Sequence, residues 1–350
     1  MHKQALSLAK SFHVFLFIPA PFRRSTWNGI NIIGLRRTKQ KWMRVLRQIG
    51  LIPVLLKTQA MVYHFHDPEL ILCGIILKKI KQKPVIYDKH ENTPFGLIGR
   101  EGQNSWKYRL IQSAYRSCEK CAIRLLDKIV LAEKSYAKTI QKNTIGIYNY
   151  PMLNNMGFMS SSNKKYDAIY VGGVTKQRGL IPMLHIAYFL KQVNPQAKVR
   201  IIGPIMDHSD QDMYRTIRDL DISDNFIYSD YMPYRDAMKE VEQSFIGLAL
   251  LYPDKNYLES IPQKLFEYMS YGIPFIASDF PYWKQLLGRN APGWFVSVEE
   301  YQSIAEIIVQ NRENPQFSPH DIQAQLTQKF SWRNEEDKLI NLYNELMKKN

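Results

Sequence analysis

The sequence predicts an α/β protein of two Rossmann-like, doubly wound domains facing a cleft, with a C-terminal helix packing back across the domains. Three observations carry this. Short apolar runs alternate with helical patterns along the whole chain. The alternation pauses once, in the Ser/Gly/Lys-rich stretch NMGFMSSSNKK, and then restarts. A chain of 350 residues, 45% hydrophobic and 23% charged, is long enough for two cores that need no disulfide or metal to fold. The expected segments are a first domain over 1–155, a second over 165–330 and a terminal helix over 331–350.

In chain order, FHVFLFI reads as the first strand, and the basic stretch LRRTKQKWMRVLRQIG as the first helix. IPVLLK and MVYHFH follow as short apolar runs, then a helix through LILCGIILKKI and the strand PVIYDKH. A long helix is expected from Ser105 to Leu126, then the strands KIVLA and TIGIYNY. The second domain opens with YDAIYVGG and a helix over Leu180–Val193. KVRIIGP, a helix over Ser209–Leu220, NFIYSD, a helix over Arg235–Gln243 and FIGLALL continue it. After these come the helix IPQKLFEYMSYG, the strand PFIASD, a helix before Gly288 and the strand GWFVS. Helices over Tyr301–Asn311 and Ser318–Lys329 lead to the closing amphipathic helix, with Trp332, Leu339, Leu342, Tyr343 and Leu346 on its apolar side.

Three cysteines, two of them in the lone pair Cys118/Cys121, are no disulfide framework, and without clustered His they are no zinc site. They read as half-buried thiols on a helix. No run approaches the ~18 apolar residues of a membrane span, so a cytoplasmic protein is expected. Charge is more informative. Residues 1–150 hold 26 Lys/Arg against 8 Asp/Glu, a net of +18, whereas residues 151–350 hold 21 against 24, a net of −3. Residues 1–50 have 10 basic and no acidic side chains.

An anionic partner is therefore expected for the first domain, either a membrane surface or nucleic acid. On a helix over the basic stretch, Leu35, Trp42, Val45, Leu46 and Ile49 share one face; Arg36, Arg37, Lys39, Lys41, Arg44 and Arg47 share the other. Such a helix suits the headgroup layer of an anionic inner leaflet, and equally the outer face of an ordinary α/β helix. No RNA- or DNA-binding motif accompanies the charge, and no nucleic-acid partner is expected.

Three segments at strand ends hold the polar residues that carry chemistry in such folds. In YVGGVTKQRGL, Gly172 and Gly173 follow a strand, and Lys176 and Arg178 precede a helix, where backbone N–H groups and a cation meet phosphate oxygens. The same pair also makes a plain tight turn. In ESIPQKLFEYMSYGIPFIASD, Glu259 and Glu267 are separated by seven residues, with Lys264 between them at a helix start. A carboxylate there accepts sugar hydroxyls while the Lys and the helix terminus hold an anion; the alternative is a solvated capping pair. In VYHFHDPELI and VIYDKHEN, His64, His66, Asp67, Glu69, Asp88, His90 and Glu91 gather at two strand ends. Acid/base work fits them better than metal, since no matched ligand spacing such as HExxH is present.

Together these segments resemble a family-4 glycosyltransferase of the retaining, GT-B type found in bacterial polysaccharide assembly. The resemblance runs over nearly the whole chain, through FSWRNEEDKLINLY at its end. It implies a nucleotide-sugar donor held by the second domain, with Glu259 near the transferred sugar and Glu267 at the ribose hydroxyls. It further implies Arg178 on the donor diphosphate and His90 near the reacting sugar, with His64 and His66 matching nearby positions. Many members carry an Arg where this chain has Gly173, and Lys264 is the expected second cation. The implied catalytic residues are His90 and Glu259, and the donor-binding set is Gly172, Gly173, Arg178, Lys264 and Glu267. The acceptor and membrane side is expected at Arg36, Arg37, Trp42, Arg44, His64 and His66. The acceptor implied is a polyprenyl-diphosphate-linked or other glycan at the inner-membrane surface, with no cofactor and no metal. Two other readings are a nucleic-acid-binding protein and an inactive partner subunit of the same fold.

Overall fold

A computed structural model of the chain describes residues 2–35, 50–90, 106–138, 140, 142–152 and 163–348. It divides into two compact units, Met1–Asn149 together with Trp332–Asn350, and Tyr150–Ser331.

The first unit opens with α1 (His2–Ala9), β1 (Val14–Pro19), β2 (Arg24–Trp27) and β3 (Ile30–Leu35). β1 runs parallel to β3, and β2 pairs antiparallel on the outer edge of β3. This corrects the expected passage from first strand straight to basic helix. Asn28 and Gly29 have φ of +46° and +76°, the conformation of a two-residue hairpin turn that Asn-Gly favours. Leu35, expected on the helix, ends β3. The rest of the basic helix, with Arg36, Arg37, Trp42 and Arg44, lies outside the described residues.

Residues 50–56 form α2, where IPVLLK was expected as a strand-like run. Ile52, Leu55 and Leu56 pack on the core while Pro53 and Val54 face out, a helical repeat rather than an alternation. β4 (Tyr63–Phe65), α3 (Ile71–Lys81), β5 (Val85–Lys89), α4 (Trp106–Ile123), β6 (Lys128–Leu131) and β7 (Thr144–Gly146) follow. They build a four-stranded parallel sheet in the order β4-β5-β6-β7. β5 is buried along its whole length, as a strand covered on both faces must be. Its Lys89 survives burial by pairing with Glu119 of α4 at 2.6 Å. Cys121, expected half-buried, is exposed on α4.

The second unit holds β8 (Tyr166–Val171), α5 (Leu180–Val193), β9 (Val199–Ile202), α6 (Asp210–Asp219), β10 (Phe226–Ser229), α7 (Tyr234–Glu242) and β11 (Ser244–Ala249). Then come α8 (Lys255–Leu258), α9 (Gln263–Ser270), β12 (Phe275–Ser278), α10 (Pro281–Leu287), β13 (Gly293–Val296), α11 (Tyr301–Glu313) and α12 (Pro319–Lys329). All six strands are parallel in the order β10-β9-β8-β11-β12-β13. The chain winds outward from β8 on one side, returns to β11 at its centre and winds outward on the other. Direction therefore reverses between β8 and β11, and ligands of such sheets bind beyond the strand ends at that reversal. Tyr170, Leu180, Met183, Ile201, Ile246 and Leu248 are among the buried residues of its core.

The last helix, α13 (Trp332–Lys348), belongs to the first unit and packs on α1. Trp332 Nε1 donates to Ser7 Oγ at 2.8 Å, and the buried Glu335 accepts the Tyr148 backbone N–H at 2.9 Å.

Candidate functional site

In the second unit the glycine pair leaves β8 at the reversal point. Gly172 has φ of +134°, a conformation open to glycine alone, and a Cβ there would run into Lys264 Nζ. The next turn is organised by Thr175, whose Oγ1 accepts the Arg178 N–H at 3.0 Å and caps a short 3₁₀ turn. Arg178 is thereby aimed back at the pair. Its Nη1 donates to the Gly173 carbonyl at 3.3 Å and its Nε to Tyr257 Oη at 3.2 Å, with the Tyr170 hydroxyl on the same carbonyl at 2.8 Å.

Lys264 arrives from the start of α9, beyond β11. Its ammonium donates to the Val171 carbonyl and lies 4.7 Å from the centre of the Tyr170 ring. Burial pushes it down to about 8, the Glu267 charge pulling it up and the Arg178 charge adding to the fall. Two cations thus flank one glycine turn and repel each other there, an arrangement that costs free energy until an anion joins them. A side chain on Gly173 would meet Met206 Sδ and Arg178 Nη1.

Glu267 sits one turn into α9 beside Lys264 and raises the pKa of the Tyr234 hydroxyl, which burial also raises. Glu259 lies just after α8 on the same connection, partly buried. The structure thus gathers Gly172, Gly173, Arg178, Lys264 and Glu267 into one cluster and sets Glu259 on the loop leading into it. Tyr170 and Tyr257, which hold the two cations in place, carry no motif and were not anticipated.

The first unit brings the three histidines together. His64 and His66 lie on or just after β4, side by side with ring centres 4.9 Å apart, and His90 follows β5 with its ring 5.2 Å from that of His66. All three converge on Asp88 Oδ2, at 3.7, 3.2 and 3.0 Å respectively. Asp88 is fully buried and also accepts from Gln4 Nε2 at 2.6 Å. His64 Nδ1 meets the Tyr343 hydroxyl of α13 at 2.9 Å. Asp88 was visible in sequence as a carboxylate within an apolar strand, whereas Gln4 and Tyr343 come from the far ends of the chain without a signal. Glu91 lies outside the described residues.

Burial raises the Asp88 carboxyl, but its histidine partners hold it well below the usual carboxylate range. Burial pushes His66 down to about 4 despite Asp88 beside it. The folded state therefore takes up fewer protons than the unfolded chain as pH falls from 6.5 toward 4, and both groups make acid destabilising. A drop of 2.5 units in His66 corresponds to about 3 kcal/mol at 1.36 kcal/mol per unit. Urea midpoints measured between pH 7.5 and 4.5 should fall steeply, and His66→Gln should flatten the slope. An unchanged slope in that variant would place the acid sensitivity elsewhere.

With this geometry in view, comparison with known proteins identifies the family. Residues 156–331 match the model of the glycosyl transferases group 1 family. The chain belongs to that family. No curated protein matches the group 1 chain. Among solved structures, it is similar to HepE of Anabaena in complex with UDP, at 12% identity and a TM-score of 0.71 over 98% of this chain and 95% of that one. Sucrose-phosphate synthase of Thermosynechococcus elongatus gives 13% and 0.74 over 100% and 92%. A glycosyltransferase of Rickettsia africae gives 12% and 0.73 over 100% and 94%. The fold is accordingly GT-B, two parallel-sheet α/β units. No helix among the described residues is long and apolar enough to cross a membrane.

Proposed function

We propose that this group 1 transferase moves a sugar from a nucleoside-diphosphate sugar to a lipid-linked glycan acceptor in surface-polysaccharide assembly, with retention at the anomeric carbon and without a metal. The observation that carries the donor half is the pair of cations, Arg178 and Lys264, converging on the glycine turn at the sheet reversal. Breaking the sugar–phosphate bond leaves negative charge on the departing diphosphate, and preorganised cations lower that barrier most. Backbone N–H groups of the turn add to them.

In this reading Glu267 accepts the ribose hydroxyls, while Glu259 and His90 hold hydroxyls of the transferred sugar. The acceptor oxygen attacks the anomeric carbon on the face that the diphosphate leaves, and its proton passes to the departing phosphate oxygen. The new C–O bond replaces the old one on the same side, which is retention. HepE has been solved with UDP and UDP-glucose, so uridine nucleotides are the first donors to try.

The acceptor half rests on charge. The 10 basic and no acidic residues of the first 50 suit the inner leaflet where a polyprenyl diphosphate is anchored. The exposed Phe22, Arg23, Arg24 and Trp27 of the hairpin have the mixed basic and aromatic make-up of an interfacial surface. Pelleting with anionic liposomes should depend on Arg36, Arg37 and Arg44; binding indifferent to lipid charge would remove this half.

The donor half is tested by thermal shift with UDP-, GDP-, dTDP- and CMP-sugars. A donor at 100 times its Kd stabilises the native state by about 2.7 kcal/mol, and Arg178→Ala or Glu267→Ala should abolish the shift. A shift that persists in both variants would move the site away from β8 and α9.

A further inference from the structure

We infer that His64, His66 and Asp88 form a binding site for a divalent transition metal, zinc being the best fit. A tetrahedral zinc bound at 2.0–2.1 Å by nitrogen and oxygen holds its donor atoms about 3.3 Å apart. The measured edges are 3.7 Å from His64 Nε2 to Asp88 Oδ2 and 3.2 Å from His66 Nδ1 to Asp88 Oδ2. The His64, His66 and Asp88 donor atoms all lie within 4.8 Å of one another. Three donors therefore stand close enough to share one ion, whose fourth position is left for water.

A second observation points the same way. His64 is nine-tenths buried, and its Nε2, facing the cluster, has no hydrogen-bond partner. If His64 Nδ1 donates to Tyr343, the Nε2 lone pair faces the Asp88 carboxylate, two acceptors with nothing between them. If Nδ1 instead accepts, the Nε2 proton points at an oxygen 3.7 Å away, too far to bond. Neither tautomer satisfies the atom, whereas a cation among the three donors satisfies it together with the carboxylate. Outer contacts fit as well. Tyr343 on His64 Nδ1 and Gln4 on Asp88 Oδ2 are the kind of partners that orient metal ligands. Two imidazoles and one carboxylate suit zinc, cobalt or nickel, and suit magnesium or calcium poorly.

The transfer chemistry proposed above makes no use of this ion, so its test needs neither donor nor acceptor. Full-length protein freed of metal by a chelator is titrated with Co²⁺, whose visible absorption is strong in tetrahedral sites, and the cobalt is then displaced with Zn²⁺. One tetrahedral Co²⁺ per chain is expected, released by Zn²⁺. His64→Ala and His66→Ala should each weaken binding at least 100-fold. His185→Ala, in the second unit and stacked on Tyr301, should leave it unchanged. Circular dichroism and thermal melts of each metal-free variant identify any that fail to fold. Should His64→Ala be one of these, His64→Gln takes its place. An absence of tetrahedral Co²⁺ in the wild-type protein would overturn the inference, as would affinity unaltered in folded His64 and His66 variants.

Discussion

Replacing Lys264 by Met should lower kcat/KM for sugar transfer by about 10²–10³-fold, the usual loss when one preorganised charge at a developing anion is removed. Met preserves the volume beside Tyr170 and Gly172, so the protein should stay folded while the charge goes. The pH profile supplies a second reading. Because burial pushes Lys264 down to about 8, its cation is present below that pH and is lost above it. The free enzyme's kcat/KM should accordingly decline as pH rises through 8, and the Lys264→Met variant should lack that limb. Equal kcat/KM in variant and wild type would reduce Lys264 to a prop for the Val171 carbonyl.

The second large effect concerns stability. Gly203 has φ of +140°, and a Cβ on it would run into the backbone carbonyl of Gly172 on the neighbouring strand. Neither group can move without breaking the bond from Gly172 N–H to the Ile202 carbonyl, at 2.8 Å. Gly203→Ala should therefore cost at least about 3 kcal/mol, backbone strain plus a displaced strand end, and should weaken donor binding as the glycine turn shifts. Gly29→Ala is the control: its φ is +76°, but nothing lies within 4 Å, so about 1–2 kcal/mol is expected. Chemical denaturation of both variants measures the difference. Equal costs would mean that the close approach of Gly203 and Gly172 contributes nothing.

The second unit was largely legible because its strands are short continuous apolar runs bounded by Gly, Pro or Asp; Leu180–Val193 was read to the residue. The first unit was less so. The strand Arg24–Trp27 has four exposed residues and no apolar pattern, and only Asn28-Gly29 announced the hairpin. IPVLLK is apolar enough for either state, and packing decided for the helix. Among candidate site residues, those on strand-end motifs were visible. Asp88 could be seen but not weighed, since its importance comes from histidines 22 and 24 residues earlier and a glutamine at position 4. Tyr257 reaches Arg178 across 79 residues, and no local pattern encodes such a partner.

α13 also bears on how the protein is made. Residues 150–331 leave the ribosome as one uninterrupted stretch that can complete its six-stranded sheet as it emerges. The earlier-born unit cannot finish. Until residues 332–348 have been synthesised, Ser7 lacks Trp332, His64 lacks Tyr343 and the Tyr148 amide lacks Glu335. Maturation therefore runs against the direction of translation, and a chain truncated after residue 331 and released from the ribosome should protect its later unit from protease while its earlier one is still digested.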